Sequence, residues 1–238
     1  YENTGGSWSQ IGQDIYGLWG DISGWSVSLS SDGNTVAIGA PHNDGNGLWA
    51  GTVRIYENSG GSWSQIGQDI DGESAGDISG RSVSLSSDGT IVAIGAPYND
   101  GNGPYSGHVR IYDNIGGSWS QIGLDINGEA ADDWSGISVS LSSDGNTVAI
   151  GAPFNDGNGL YAGHVRVYDL ANTTLCYGCT DPLALNYDST FAYDDGSCIY
   201  SNCDLTNTFV INNNTPGNCN GFIIANSSSS NTPITYLW

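Results

Sequence analysis

Polar and apolar positions alternate along this chain in short, strand-sized bursts. Ser82-Val83-Ser84-Leu85-Ser86 alternates with a period of two, which predicts a strand. Asp88-Gly89 follows as a tight hairpin turn. Ile91-Val92-Ala93-Ile94-Gly95-Ala96 is almost continuously apolar, so this second strand is expected to be covered on both faces, and Pro97 ends it. After a loop at residues 99–103, His108-Val109-Arg110-Ile111-Tyr112 reads as a third strand. Gly116-Gly117 makes another turn, and Ser118-Trp119-Ser120-Gln121-Ile122 is the fourth.

The whole pattern repeats. Gly-Ser-Trp-Ser-Gln-Ile-Gly occurs at Trp8, Trp63 and Trp119, Ser-Ser-Asp-Gly at Asp32, Asp88 and Asp144, and Ala-Pro-x-Asn-Asp-Gly-Asn-Gly at Asp44, Asp100 and Asp156. Both aspartate series step by 56 residues, while the first tryptophan step is 55, because the first copy lacks one residue near Gly17. Four short strands per 56 residues is the signature of a propeller blade, and blades bury their faces only by stacking on one another. The expected fold is all-β: a partial β-propeller of three four-stranded blades over residues 1–170. Trp8, Trp63 and Trp119 are expected to fill the seams between blades, with ligand stacking as the other reading.

Gly80-Arg81-Ser82-Val83, Val92-Ala93-Ile94-Gly95-Ala96-Pro97 and Gly107-His108-Val109-Arg110-Ile111-Tyr112 together resemble the FG-GAP repeat of the integrin α-chain propeller and its bacterial relatives. Calcium-binding members of that family carry a DxDxDG-like loop between their first two strands. This chain has only Ser-Ser-Asp-Gly there, too short to cage an ion. Tyr1-Glu2-Asn3 matches Tyr56-Glu57-Asn58, so the chain is expected to open inside a blade and to be a fragment of a longer protein.

Beyond residue 170 the character changes. Five cysteines fall between Cys176 and Cys219 and none before. Crowded cysteines in a turn-rich stretch point to disulfides and an oxidising compartment. Zinc is the rival reading of Cys176-Tyr177-Gly178-Cys179, although no second CxxC and no histidine lies nearby. Cys179-Thr180-Asp181-Pro182, Asn186-Tyr187-Asp188 and Asp194-Asp195-Gly196-Ser197-Cys198 resemble a short module of large secreted bacterial surface proteins. The resemblance implies a Cys179–Cys198 disulfide, worth about 3 kcal/mol by loop closure. Asp181, Asn186, Asp188, Asp194 and Asp195 offer the hard oxygens that calcium takes, and equally the turns and caps that Asp and Asn make. Residues 171–202 are read as this cysteine-bridged module. Residues 203–238 resemble the opening of a β-sandwich-like repeat of gliding-motility adhesins, truncated here, with Cys203–Cys219 as a second candidate bridge.

Charge narrows the partners. With 25 acidic residues, four arginines and a net charge of −21, the chain is not expected to bind nucleic acid or anionic lipid. No run of about 18 apolar residues predicts a membrane span. Calcium is the expected cofactor. Its weaker candidate loops are Asn43, Asp44 and Asn46, then Asn99, Asp100 and Asn102, then Asn155, Asp156 and Asn158, where turn-making is the alternative. Arg54, Arg110 and Arg166 occupy one repeat position and are expected to pair between blades with acidic side chains, with Asp21, Asp77 or Asp133 as candidates. His108 and His164 share another position that holds Thr52 in the first copy, which argues against a repeated metal or catalytic role. His42, Tyr98 and Phe154 mark an aromatic packing slot. No nucleophile elbow, zincin or P-loop motif occurs. The reading is a non-catalytic binding or structural region of an extracellular or cell-surface protein, engaging a protein or glycan. The alternatives are an accessory region of a secreted enzyme and a self-assembling polymer subunit.

Overall fold

The computed structural model describes residues 2–170, with side chains from residue 5 onward, and four two-residue strands between residues 177 and 224. The described residues form strands and no helix. A hairpin of β1 (Glu2–Thr4) and β2 (Ser7–Ser9) comes first. The first sheet runs in chain order through β3 (Ser26–Leu29), β4 (Thr35–Ala40), β5 (Thr52–Ser59) and β6 (Ser62–Gln65), and β7 (Ile70–Asp71) also pairs with β5. The second contains β8 (Ser82–Leu85), β9 (Ile91–Ala96), β10 (His108–Ile115) and β11 (Ser118–Asn127). The third contains β12 (Ser138–Leu141), β13 (Thr147–Ala152) and β14 (His164–Asp169). All pairings in these sheets are antiparallel and their registers repeat: Val36 faces Tyr56, Val92 faces Tyr112 and Val148 faces Tyr168.

The third sheet has three strands among the described residues, where four were expected. The tryptophan motif carries the fourth strand of each blade, and its first copy is β2, ahead of the first sheet and paired with β1. The sequence copies and the sheets are therefore offset by one strand.

The apolar run of the second strand works as expected. In β9, Val92 and Ile94 join Val53, Ile55, Val83, Leu85, Tyr112 and Trp119 in one buried cluster, while Ala93 points the other way, to Val109, Ile111, Val148 and Ile150. The first cluster fills the seam between sheets one and two, and the second fills the seam between sheets two and three. The serines of the innermost strands are also used in the seams. Ser28 Oγ accepts the Leu85 N–H and Ser84 Oγ that of Leu141, both at 2.9 Å, while Ser26 and Ser82 hydroxyls donate to the carbonyls of Gly80 and Gly136, both at 2.7 Å. Val27 and Leu29 on the first sheet, and Val165 and Val167 on the last, remain exposed.

Each β-hairpin between a blade's first two strands is held by its aspartate. Asp88 accepts the Ser86 hydroxyl at 2.7 Å and the Thr90 N–H at 3.0 Å. These bonds, the serine's first, hold its carboxyl below the usual range. A depressed carboxylate adds stability that is present above the unfolded-state pKa and is lost as pH falls through the folded one. Asp88→Ala should therefore cost about 1 kcal/mol at neutral pH. It should also flatten the loss of stability below about pH 4, as followed by denaturant titrations across pH.

A second compact unit, Leu175–Trp238, contains the pairs Tyr177–Gly178 with Tyr193–Asp194, parallel, and Val210–Ile211 with Ile223–Ile224, antiparallel. The expected bridges of Cys179, Cys198, Cys203 and Cys219, the oxygen set Asp181, Asn186, Asp188, Asp194 and Asp195, and the boundary at residues 202–203 lie outside the described residues and side chains.

Candidate functional site

One edge of the array collects the loops between the second and third strands of each sheet (residues 41–51, 97–107 and 153–163) and the segments leading into each first strand. Asn43, Asn99 and Asn155 are buried, and their Oδ1 atoms accept the N–H groups of Gly45, Gly101 and Gly157. Asp44, Asp100 and Asp156 accept the N–H groups of Trp49, Tyr105 and Tyr161 at 2.8, 2.8 and 2.6 Å. Asn46 and Asn102 donate across to the carbonyls of Gly72 and Glu73, and of Gly128 and Glu129. Asn158 is exposed. The repeated Asn and Asp residues thus fix the loop shape and tie it to the neighbouring segment.

That shape forces side chains outward. Trp49, Tyr105 and Tyr161 have φ of 55, 52 and 54°, and Ile22, Ile78 and Trp134 have 53, 56 and 54°. Left-handed backbone is rare for bulky or β-branched residues and persists only where surrounding bonds over-determine it. Here the strained pairs bond each other: Ile78 N–H donates to Trp49 O and Trp134 N–H to Tyr105 O, both at 3.1 Å. Trp49 and Tyr105 are about half exposed and Tyr161 more so. Between the second and third sheets the rings form a continuous run. Tyr105 lies 5.3 Å from Tyr98, Tyr98 4.9 Å from Trp134, Trp134 4.7 Å from Phe154, and Phe154 5.8 Å from Tyr161, each pair edge-to-face. At the other seam Ile78 replaces the central tryptophan, leaving a stacked His42–Trp49 pair at 5.1 Å and Arg81 over the Trp25 ring at 4.4 Å. The sequence showed one column of this rim, the slot at His42, Tyr98 and Phe154. It missed Trp49, Tyr105 and Tyr161, whose 56-residue spacing was visible but whose outward aim depends on positive φ, and Trp134, which stands alone where the other copies have Ile22 and Ile78.

The seam residues divide by copy. Trp119 is 4% exposed and its Nε1–H donates to Ile66 O at 3.0 Å, while Trp63 is half-buried and donates to Ile11 O at 3.1 Å. Trp8 departs from the expectation: it is 68% exposed, because the described residues supply no strand on its far side. Arg54 pairs with Asp21 at 3.3 Å and Asp69 at 2.8 Å. Arg110 and Arg166 instead reach Glu73 and Glu129, each at 3.7 Å, and donate to the Asp71 and Asn127 carbonyls. Asp77 and Asp133, two of the three expected partners, take the amides of Asn99 and Asn155. The cause is the residue absent from the first copy. It is the glutamate itself, Glu73 in the second copy and Glu129 in the third, while the first runs directly from Gly17 to Leu18.

The fold and rim define an all-β array of propeller-type blades with a shaped loop face. The family model of the FG-GAP repeat matches residues 70–112 and 127–168, so the chain carries FG-GAP repeats there, and these support a propeller-like binding or structural domain. Among curated proteins, ribulose bisphosphate carboxylase/oxygenase activase 1 of Larrea tridentata, chloroplastic, is 43% identical over 54 residues, which are 22% of this chain and 11% of that protein. Three solved structures are similar at low identity. Hydrazine synthase of Kuenenia stuttgartiensis has 14% identity over 62% of this chain and 34% of that one, with a TM-score of 0.41. Sqt1 of Saccharomyces cerevisiae has 15% over 68% and 35%, TM-score 0.41. The periplasmic gluconolactonase of Pseudomonas aeruginosa has 18% over 61% and 39%, TM-score 0.38. The chain thus spans little more than a third of the structures it matches. No helix among the described residues is long and apolar enough to cross a membrane.

Proposed function

We propose that this chain is a non-catalytic binding region of a secreted or cell-surface protein, and that its aromatic rim holds a neutral glycan. The observation that carries this reading is the run of five rings from Tyr105 to Tyr161, three of them (Tyr105, Trp134 and Tyr161) on left-handed backbone, and the run partly open to solvent. Rigid aromatic side chains give contact area at low entropic cost, and sugar C–H faces are apolar surfaces of matching size. Asp100, Asp132 and Asp156 are exposed in the same loops and can accept hydroxyl hydrogen bonds. The net charge of −21 disfavours anionic polysaccharides.

Affinity electrophoresis through gels containing cellulose-, xylan- or mannan-type polymers, with alginate as the anionic comparison, tests it. Retardation by a neutral polymer is expected, weakened about tenfold or more in Trp134→Ala, the size of a central aromatic contact. No retardation in any neutral gel, or equal retardation of the variant, would overturn the reading. The exposed Val27, Leu29, Val165 and Val167 favour a second reading, self-association through sheet faces, which light scattering would reveal as particles larger than one chain.

A further inference from the structure

Below the rim, the seam between the first and second sheets contains a polar cluster that glycan binding does not use. His108, at the start of β10, is 1% exposed, and neither ring nitrogen has a hydrogen-bond partner. Its Nδ1 lies 3.8 Å from Glu73 Oε2 and 3.8 Å from Asp125 Oδ2, and the donor atoms of all three residues fall within 4.8 Å of one another. Buried nitrogens without partners are costly and call for an explanation. Arg110 lies 3.7 Å from Glu73 but spends its shortest bond, 2.7 Å, on the Asp71 carbonyl. Charge from Asp77 and Asp125 also bears on Glu73 and His108. Glu73, Asp77 and Asp125 thus bring three negative charges to a cluster with one guanidinium, Arg110, an imbalance that a divalent cation would neutralise.

The repeats supply a second, independent observation. The first copy lacks both the glutamate and the histidine, which is Thr52 there. In that copy the polar groups satisfy one another: Arg54 closes on Asp21 and Asp69, and the Thr52 hydroxyl donates to Ile70 O at 3.3 Å. The second and third copies have both residues, and His164 Nδ1 again faces Glu129, at 3.6 Å. Histidine and glutamate come and go together, as members of one ligand set would. Among the described residues, the second copy alone adds a third donor, Asp125, within reach.

We propose that Glu73, His108 and Asp125 form a binding site for a divalent first-row transition-metal ion, with Zn2+ the best fit. One imidazole and two carboxylates suit zinc, whereas calcium takes oxygen ligands alone. Ligand atoms around tetrahedral zinc are about 3.4 Å apart, so each histidine–carboxylate distance of 3.8 Å would shorten by about 0.4 Å and the widest separation, within 4.8 Å, by at most about 1.4 Å. Glu73 and Asp125 are partly exposed, which leaves an approach for the ion and a position for water. The three ligands come from the link between the sheets, from β10 and from β11, so the ion would pin the seam.

Isothermal titration of the metal-free full chain with ZnCl2, its thiols first alkylated to silence the cysteine region, tests the site. One equivalent is expected to bind, with a rise in Tm at saturating zinc. His108→Thr, the residue of the first copy, and Asp125→Asn should each weaken binding about a hundredfold or more. Asp125→Asn lies at a partly exposed position, so it reports even where His108→Thr fails to fold. Calcium chloride should give no such heat. Absence of zinc binding in the parent chain, or binding unchanged in Asp125→Asn, would overturn the proposal.

Discussion

Gly95→Ala should destabilise the array by about 3 kcal/mol. Gly95 lies on β9, and its position is crowded by the backbone of the next blade and by a serine hydroxyl that this backbone holds in place. An added Cβ would run into the carbonyl oxygen of Gly136 from the next blade and into the Ser82 hydroxyl. Ser82 cannot simply turn away, because it donates to that same carbonyl at 2.7 Å. Nor can the backbone retreat easily: Gly80 N–H is bonded to Gly95 O and Gly136 N–H to Gly151 O, both at 3.1 Å. The first seam repeats the arrangement with Gly39, Gly80 and Ser26. Thermal or urea unfolding measures the effect. A midpoint unchanged by the substitution would show that the inner strands pack further apart than this geometry requires.

The repeat made the fold legible. Three copies of one polar–apolar score gave the strands, the turns and the stacking, because periodicity and turn residues are local properties. β11 still ran beyond expectation, to Asn127, through a register shift between Val109 and Ile111, whereas the matching stretch of the first sheet breaks into β6 and β7. The serines of β3 and β8 register in the sequence only as polar. That they accept and donate across a seam depends on a neighbour 54 to 57 residues away. The rim was half legible for the same reason. Aromatic residues at fixed spacing can be counted, but whether they fill a core or face solvent is decided by φ, which no periodicity encodes. The seam cluster was hidden by the missing residue near Gly17: the histidine column looked unevenly filled until the glutamate column was seen to be empty in the same copy.

The last prediction separates motif from environment. Trp8, Trp63 and Trp119 sit in the same heptapeptide, yet they should not cost the same to remove. Trp119→Ala should cost about 3–5 kcal/mol, since it empties a buried site and leaves Ile66 O without its donor. Trp63→Ala, at a half-buried site with one equivalent bond to Ile11 O, should cost less. Trp8→Ala should stay within about 0.5 kcal/mol, as surface changes do. Chemical denaturation of the three variants gives the ranking directly. Equal costs at Trp8 and Trp119 would mean that the first tryptophan is covered in solution. Since the described residues offer nothing to cover it, the covering surface would have to come from elsewhere, and a second copy presenting Val165 and Val167 would be the first to test by cross-linking.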